Sequence, residues 1–316
     1  MPCATVHMQL SHRLFRRWRE EPSSAPIPLS DPRVEEAFLH GAMGPDMGFI
    51  PGADRLVSEV AHYLRPGDLA RALLREAGSP VEEAFAWGWA SHVLGDVELH
   101  PVVGRAVGEL LHGDRDRRVD AAENVEAHVS LEVGLDLCIY HAGRRGGEGL
   151  PRPPAIPHFR GSRIRHLTRA LEETYGLPWD GKELLRAHQR AARLTAWWPR
   201  ALEALALRRG SQPEEEGVRP VRWLLDGAQA FTQRGSAVRG FLGVRIPPGW
   251  VMEEVNRRME GFEDRFQALV DSGLEGMENR NLETGETAGP GLGHPASDEV
   301  AERVERIRSI PLPSVP

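Results

Sequence analysis

Apolar positions recur every three to four residues along most of this chain. Val6, Met8, Leu10, Leu14, Phe15 and Trp18 predict a helix over about 5–19. Ser30-Asp31-Pro32 is a helix start, a capping residue followed by proline in the first turn. The helix it opens carries Val34, Ala37 and Phe38 and ends near Gly41. Residues 42–53 hold Pro45, Pro51 and three glycines, so they form a loop, with Asp46 at its centre. Helix resumes over about 54–65 and 67–77. Ser79-Pro80-Val81-Glu82-Glu83 starts another, with carboxylates at the positive end of the helix dipole; it is expected to stop near residue 99, before Pro101. Residues 120–142 alternate locally as a strand would, but their length and lack of turn residues favour a buried helix. A Gly-, Pro- and Arg-rich loop is predicted over 143–161, then helices over about 162–175, 181–208, 219–234 and 250–272. The Gly-, Glu- and Asn-rich stretch 274–296 reads as disordered or as a linker before a short charged helix over about 297–308 and a Pro-rich tail. The fold class is all-α. The expected organisation is a helical catalytic body over 1–208, a helical extension packed on it over 209–273, and a flexible tail with a short helix over 274–316.

The 316 residues are enough for a sizeable core, and no window approaches 18 consecutive apolar residues, so no transmembrane helix is predicted. Two cysteines, Cys3 and Cys138, cannot form a disulfide framework, which fits a reducing compartment. The first residues lack a basic cap followed by a long apolar run, so no export signal is read there and a cytoplasmic location is expected. The net charge of −7 disfavours general nucleic-acid binding, which relies on cationic surface. Nothing in the pattern selects an oligomeric state.

The chemistry lies in the histidines. Nine of the 13 fall in the first 141 residues. His92, Asp96 and His100 stand at i, i+4 and i+8, and each four-residue step advances only about 40° around a helix, so all three project from one face. His128, Glu132 and Asp136 repeat the spacing on the next long helix. One such ladder is common on solvated helices. Two on successive helices, with an Asp-bearing Gly/Pro loop upstream, can enclose metal between them. The nitrogen and oxygen donors suit zinc, with iron or manganese as alternatives. For Asp136 two roles stay open: orienting a ligating imidazole, or pairing with an arginine.

Several elements carry a resemblance: Thr5-Val6-His7, Gly41-Ala-Met-Gly-Pro-Asp46, His62, Gly88-Trp-Ala-Ser-His92-Val-Leu-Gly-Asp96-Val-Glu-Leu-His100-Pro101, and His128-Val-Ser-Leu-Glu132. In this order they resemble the zinc-dependent phospholipase C family, whose helical scaffold is shared by single-strand nucleases with three zincs. The resemblance covers roughly residues 1–200. It implies that Asp46, His62, His92 and Asp96 hold a first metal and that His100, His128 and Glu132 hold a second. His7 would hold a third, with Asp96 bridging it to the first; the cofactor is thus two to three zinc ions. It also implies a hydrolase of phosphate esters, phospholipase C-like, acting on a phospholipid or a smaller phosphodiester. Asp46 is then the candidate for orienting or deprotonating the attacking water.

Four other classes compete; one is a metal-stabilised binding protein without turnover, whose signature would be the loss of Asp46, and Asp46 is present. A nuclease on the same scaffold is disfavoured by the acidic balance and by the lack of an aromatic-basic groove. A di-iron oxidative enzyme would favour Glu-x-x-His pairs, whereas these ladders have three intervening residues. Helical phosphohydrolases with an adjacent His-Asp doublet are set aside, because no such dipeptide occurs here.

Overall fold

The computed structural model describes residues 4–50, 53–145, 161–208, 233–288 and 295–309, and twelve α-helices with no strand among them. They are α1 (Ala4–Glu20), α2 (Pro32–Ala42), α3 (Arg55–Tyr63), α4 (Pro66–Arg75), α5 (Pro80–His112), α6 (Ala121–Arg145), α7 (Gly161–Tyr175), α8 (Gly181–Arg208), α9 (Ala237–Leu242), α10 (Gly249–Met259), α11 (Phe262–Asp271) and α12 (Pro295–Arg308). The chain is an all-α bundle, as its periodicity predicts. Most of the helix expected over 219–234 and most of the loop expected over 143–161 lie outside the described residues; Gln233 and Arg234 are not helical. No described helix is long and apolar enough to cross a membrane.

Helix α5 is the axis of the bundle. Ser79 caps it by accepting the Glu82 N–H. Its buried face carries Phe85, Trp89, Val93, Leu99 and Val103. Helix α2 lies against it at a backbone-to-backbone approach that only glycine permits. A Cβ on Gly41 would sit 2.0 Å from the Phe85 carbonyl oxygen, and one on Gly88 would sit 2.0 Å from that of Phe38. Around this crossing, Phe15, Trp18 and Phe38 meet edge to face, with centroids 5.1 to 5.6 Å apart.

Four expectations need correction. First, α5 does not stop before Pro101 but continues to His112. Pro101 cannot donate to the Val97 carbonyl. The chain beyond covers the defect: Gly285 lies against the Pro101 ring and the Val97 oxygen, and the Arg258 guanidinium donates to the neighbouring Glu98 carbonyl. Second, the predicted 120–142 helix begins at Ala121 but breaks its regular backbone at Asn124. Asp120 accepts the N–H groups of Ala122 and Glu123, and the Asn124 side chain accepts that of Ala127 and restarts the helix. Third, the 250–272 helix is two helices, broken around Gly261.

The fourth correction matters most for the site. Residues 274–288, read as part of a disordered stretch or linker, are packed onto the bundle. Leu274 and Leu282 are fully buried, and Asn281 nearly so. The Leu282 N–H donates to the His62 carbonyl at 2.9 Å, and the Asp68 N–H to the Asn279 side chain at 2.9 Å. Composition argued for disorder; turn chemistry and the buried Leu274 and Leu282 override it.

Candidate metal centre

The sequence ladders converge. His92, Asp96 and His100 project from α5, His128 and Glu132 from α6, His62 from α3 and His7 from α1. Asp46 sits in a short 3₁₀ turn, Pro45–Phe49, that replaces the expected irregular loop. That turn is tied to α3 through Ser58, which donates to the Pro45 carbonyl and accepts the Gly48 N–H. All eight side chains are buried.

Asp96 is the hub. Its Oδ1 lies 3.0 Å from His7 Nε2 and 3.4 Å from His100 Nε2. Its Oδ2 lies 2.9 Å from His92 Nε2 and 3.4 Å from His62 Nε2. Asp46 Oδ1 is 3.4 Å from the same His62 nitrogen. On the other side, Glu132 Oε1 is 3.2 Å from His100 Nε2 and 3.3 Å from His128 Nε2. Three groups could each hold an ion: His7, His92 and Asp96; Asp46, His62 and His92; and His100, His128 and Glu132, with donor atoms within 4.8 Å of one another in each.

The imidazole tautomers show what the centre lacks. His62 Nδ1 lies 2.8 Å from the Ser58 carbonyl, and His92 Nδ1 lies 2.8 Å from the Ala42 carbonyl. A carbonyl can only accept, so each Nδ1 carries the proton and, in the neutral ring, each Nε2 presents a lone pair to carboxylate oxygens. Lone pairs facing one another at 2.9 to 3.4 Å repel unless a cation sits between them. His92 Nε2, Asp96 Oδ2, His7 Nδ1, His100 Nδ1 and both His128 nitrogens are buried with no hydrogen-bond partner. Unsatisfied buried groups cost about 1–3 kcal/mol each, and so many in one place indicates a missing positive charge. Ligand atoms about 2.0–2.2 Å from a tetrahedral zinc lie about 3.3–3.6 Å apart, close to most of the separations here. The residues fit zinc.

The same geometry draws protons into the metal-free protein. Burial lowers the His62 imidazole, but Asp46 and Asp96 outweigh it and push its pKa up to about 9. Burial raises the Glu132 carboxyl, but His128 and His100 draw it down to about 2. Burial and the charge of His92, stacked on it at 4.0 Å, lower His7. At pH 7.5 His62 therefore holds a proton that zinc must expel. Burial also lowers the His100 and His128 imidazoles, but the carboxylates facing them outweigh it and raise both. Zinc titrated calorimetrically into metal-free protein at that pH, in buffers of different ionisation enthalpy, is therefore expected to release protons, that of His62 among them, and fewer as pH rises through 9. An enthalpy independent of buffer would contradict this.

Asp136 takes neither role left open by the sequence. Its Oδ1 accepts the N–H groups of Thr5 and Val6 at 3.2 and 3.4 Å, and its Oδ2 accepts the Trp198 indole N–H at 3.0 Å. It caps α1 just ahead of His7, with burial pushing its own carboxyl up to about 8. Trp198 thus packs against the body, whereas Trp197 is exposed.

One residue of the centre escaped sequence reasoning. Glu283, from the loop after α11, places Oε2 3.5 Å from His128 Nε2 and Oε1 3.8 Å from His100 Nδ1. The only sequence signal was Asn281-Leu-Glu-Thr-Gly285, a turn with one apolar residue inside a polar stretch.

The sequence model of one protein family, described as zinc-dependent phospholipase C, matches residues 6–186. The chain belongs to that family. The match takes in all eight predicted ligands from His7 to Glu132 and leaves Glu283 outside. No curated protein and no solved structure matches the chain. The family is zinc-dependent, in keeping with the donor set.

Proposed function

We propose that this member of the zinc-dependent phospholipase C family hydrolyses phosphodiesters, its substrate being a phospholipid or a smaller phosphate ester. One observation carries the reading: Asp96 faces four imidazoles in a buried pocket where its own Oδ2 and the facing His92 Nε2 have no hydrogen-bond partner. Asp46, His62, His92 and Asp96 would hold one ion, His100, His128 and Glu132 a second, and His7 with Asp96 a third. Bound zinc offsets charge on a phosphoryl oxygen and lowers the pKa of water from about 16 to about 7.

The protein's own part is positional. The Ser58 and Ala42 carbonyls fix the His62 and His92 rings with Nε2 facing inward. Asp46, held by the Ser58-anchored turn, is the carboxylate that orients the attacking water and takes its proton. The scarcity of cysteine supports an intracellular setting with a substrate found there.

The test is elemental analysis followed by a screen of chromogenic phosphodiesters and phosphomonoesters. Two to three zinc per chain and diester hydrolysis abolished by chelation are expected. Asp46→Asn keeps an oxygen on the first metal and is expected to lower kcat by about 10²–10⁴-fold with most zinc retained. Iron with oxygen consumption would replace this reading with an oxidative one.

A further inference from the structure

We propose that Glu283 is a fourth protein ligand of the metal held by His100, His128 and Glu132, so that this ion ties the chain after α11 to the catalytic bundle. The proposal rests on the metal reading of that cluster and adds a ligand from outside the stretch that the family match covers.

Two independent observations support it. The first is the state of the carboxylate. Glu283 is 6% exposed, and its Oε2 is buried with no hydrogen-bond partner. It faces His128 Nε2, also buried and without one. Their 3.5 Å separation, with the 3.2 and 3.3 Å from Glu132 to His100 and His128, falls near the edge lengths of a tetrahedron of zinc ligands, about 3.3–3.6 Å. A buried carboxylate in water-poor surroundings persists only when paired or bound to metal.

The second is how firmly the backbone delivers it. Asn281 accepts the N–H groups of Glu283 and Thr284 at 2.9 and 3.2 Å and donates to Ser297 at 3.1 Å. The Gly285 N–H returns to the Asn281 carbonyl at 2.8 Å. Gly285 has φ +70°, and a Cβ there would lie 3.2 Å from the Pro101 ring and 3.3 Å from the Val97 oxygen, so the turn is seated on α5 beside Pro101, one residue past His100. Leu282, on one side of Glu283, bonds the His62 carbonyl; Arg118 holds the Thr284 carbonyl on the other. The loop spans the first and second metal positions, and Glu283 is the side chain it turns inward.

Three protein donors at the second position would leave a vacancy for an outside ligand; a fourth from Glu283 fills it. An incoming phosphate oxygen must then displace this carboxylate or bind elsewhere in the centre.

The test uses the full chain and zinc itself. Metal-free wild type, Glu283→Gln and His128→Ala are titrated with zinc against a chromophoric chelator at pH 7.5. Glu283→Gln keeps the shape and removes the charge. It is expected to weaken the zinc equivalent that His128→Ala abolishes by at least about tenfold, leaving the other equivalents unchanged. Hydrogen exchange supplies an arm that needs no variant: zinc is expected to protect the amides of residues 281–286 in wild type. If an equivalent is lost in His128→Ala but binds Glu283→Gln as tightly as wild type, Glu283 is an ion-pair partner only and the proposal falls. Should Glu283→Gln not fold, unchanged exchange of 281–286 on zinc addition overturns it equally. If His128→Ala takes up as much zinc as wild type, the second metal position itself fails, and Glu283 with it.

Discussion

Asp96→Ala is expected to remove zinc from two positions together and to reduce phosphodiester hydrolysis by on the order of 10³-fold or more. The reason is geometric. Each Asp96 oxygen faces two imidazoles, Oδ1 those of His7 and His100 and Oδ2 those of His92 and His62. No other described carboxylate approaches so many. Without it, His7 and His92, stacked at 4.0 Å, keep their donor atoms but lose the negative charge that makes a cation favourable between them. A loss of about 4 kcal/mol in transition-state stabilisation corresponds to about three decades in rate. The second position should persist, since His100, His128 and Glu132 remain. The checks are a zinc-to-protein ratio and kcat/KM on the same preparation. Full zinc with wild-type turnover in Asp96→Ala would remove Asp96 from the centre.

That hub was legible because helices preserve sequence spacing. A four-residue interval stays on one face whatever the tertiary contacts, so His92, Asp96 and His100 on α5, and His128 and Glu132 on α6, could be paired on the page. Asp46 was legible through contrast, a carboxylate among prolines and glycines where a helix could not continue. Glu283 had neither advantage. Its loop is defined by an Asn281 side chain capping two backbone amides and by a glycine against Pro101, contacts that depend on where α5 brings that proline. Pro101 misled for the same reason. Its helix-breaking tendency is local, while the groups that offset it, Arg258 and Gly285, lie more than 150 residues on. Asp136 continued the ladder in sequence, but one turn past Glu132 it meets the start of α1 in place of an imidazole. What stayed hidden was set by the distant chain.

Gly88→Ala is expected to destabilise the bundle by about 3 kcal/mol or more. The new Cβ would lie 2.0 Å from the Phe38 oxygen, 2.8 Å from the Phe38 carbonyl carbon and 2.9 Å from the Ala42 nitrogen. These are backbone atoms, so no rotamer can yield; α2 must move away from α5. That movement opens the aromatic packing of Phe15, Trp18 and Phe38. It also carries off the Ala42 carbonyl that fixes the His92 ring. Stability and zinc affinity should therefore fall together. At about 2–4 °C per kcal/mol for a large domain, the melting temperature should drop by roughly 6–12 °C. Gly113→Ala provides the contrast. Its φ of +70° strains any side chain, but nothing lies within 4 Å of its Cβ, so about 1–2 kcal/mol and unchanged zinc binding are expected. Calorimetric melting of both variants, with zinc titrations on each, separates the two effects. Equal melting temperatures, or a Gly88→Ala protein that binds zinc as wild type does, would show that the α2–α5 contact does not hold the metal centre in shape.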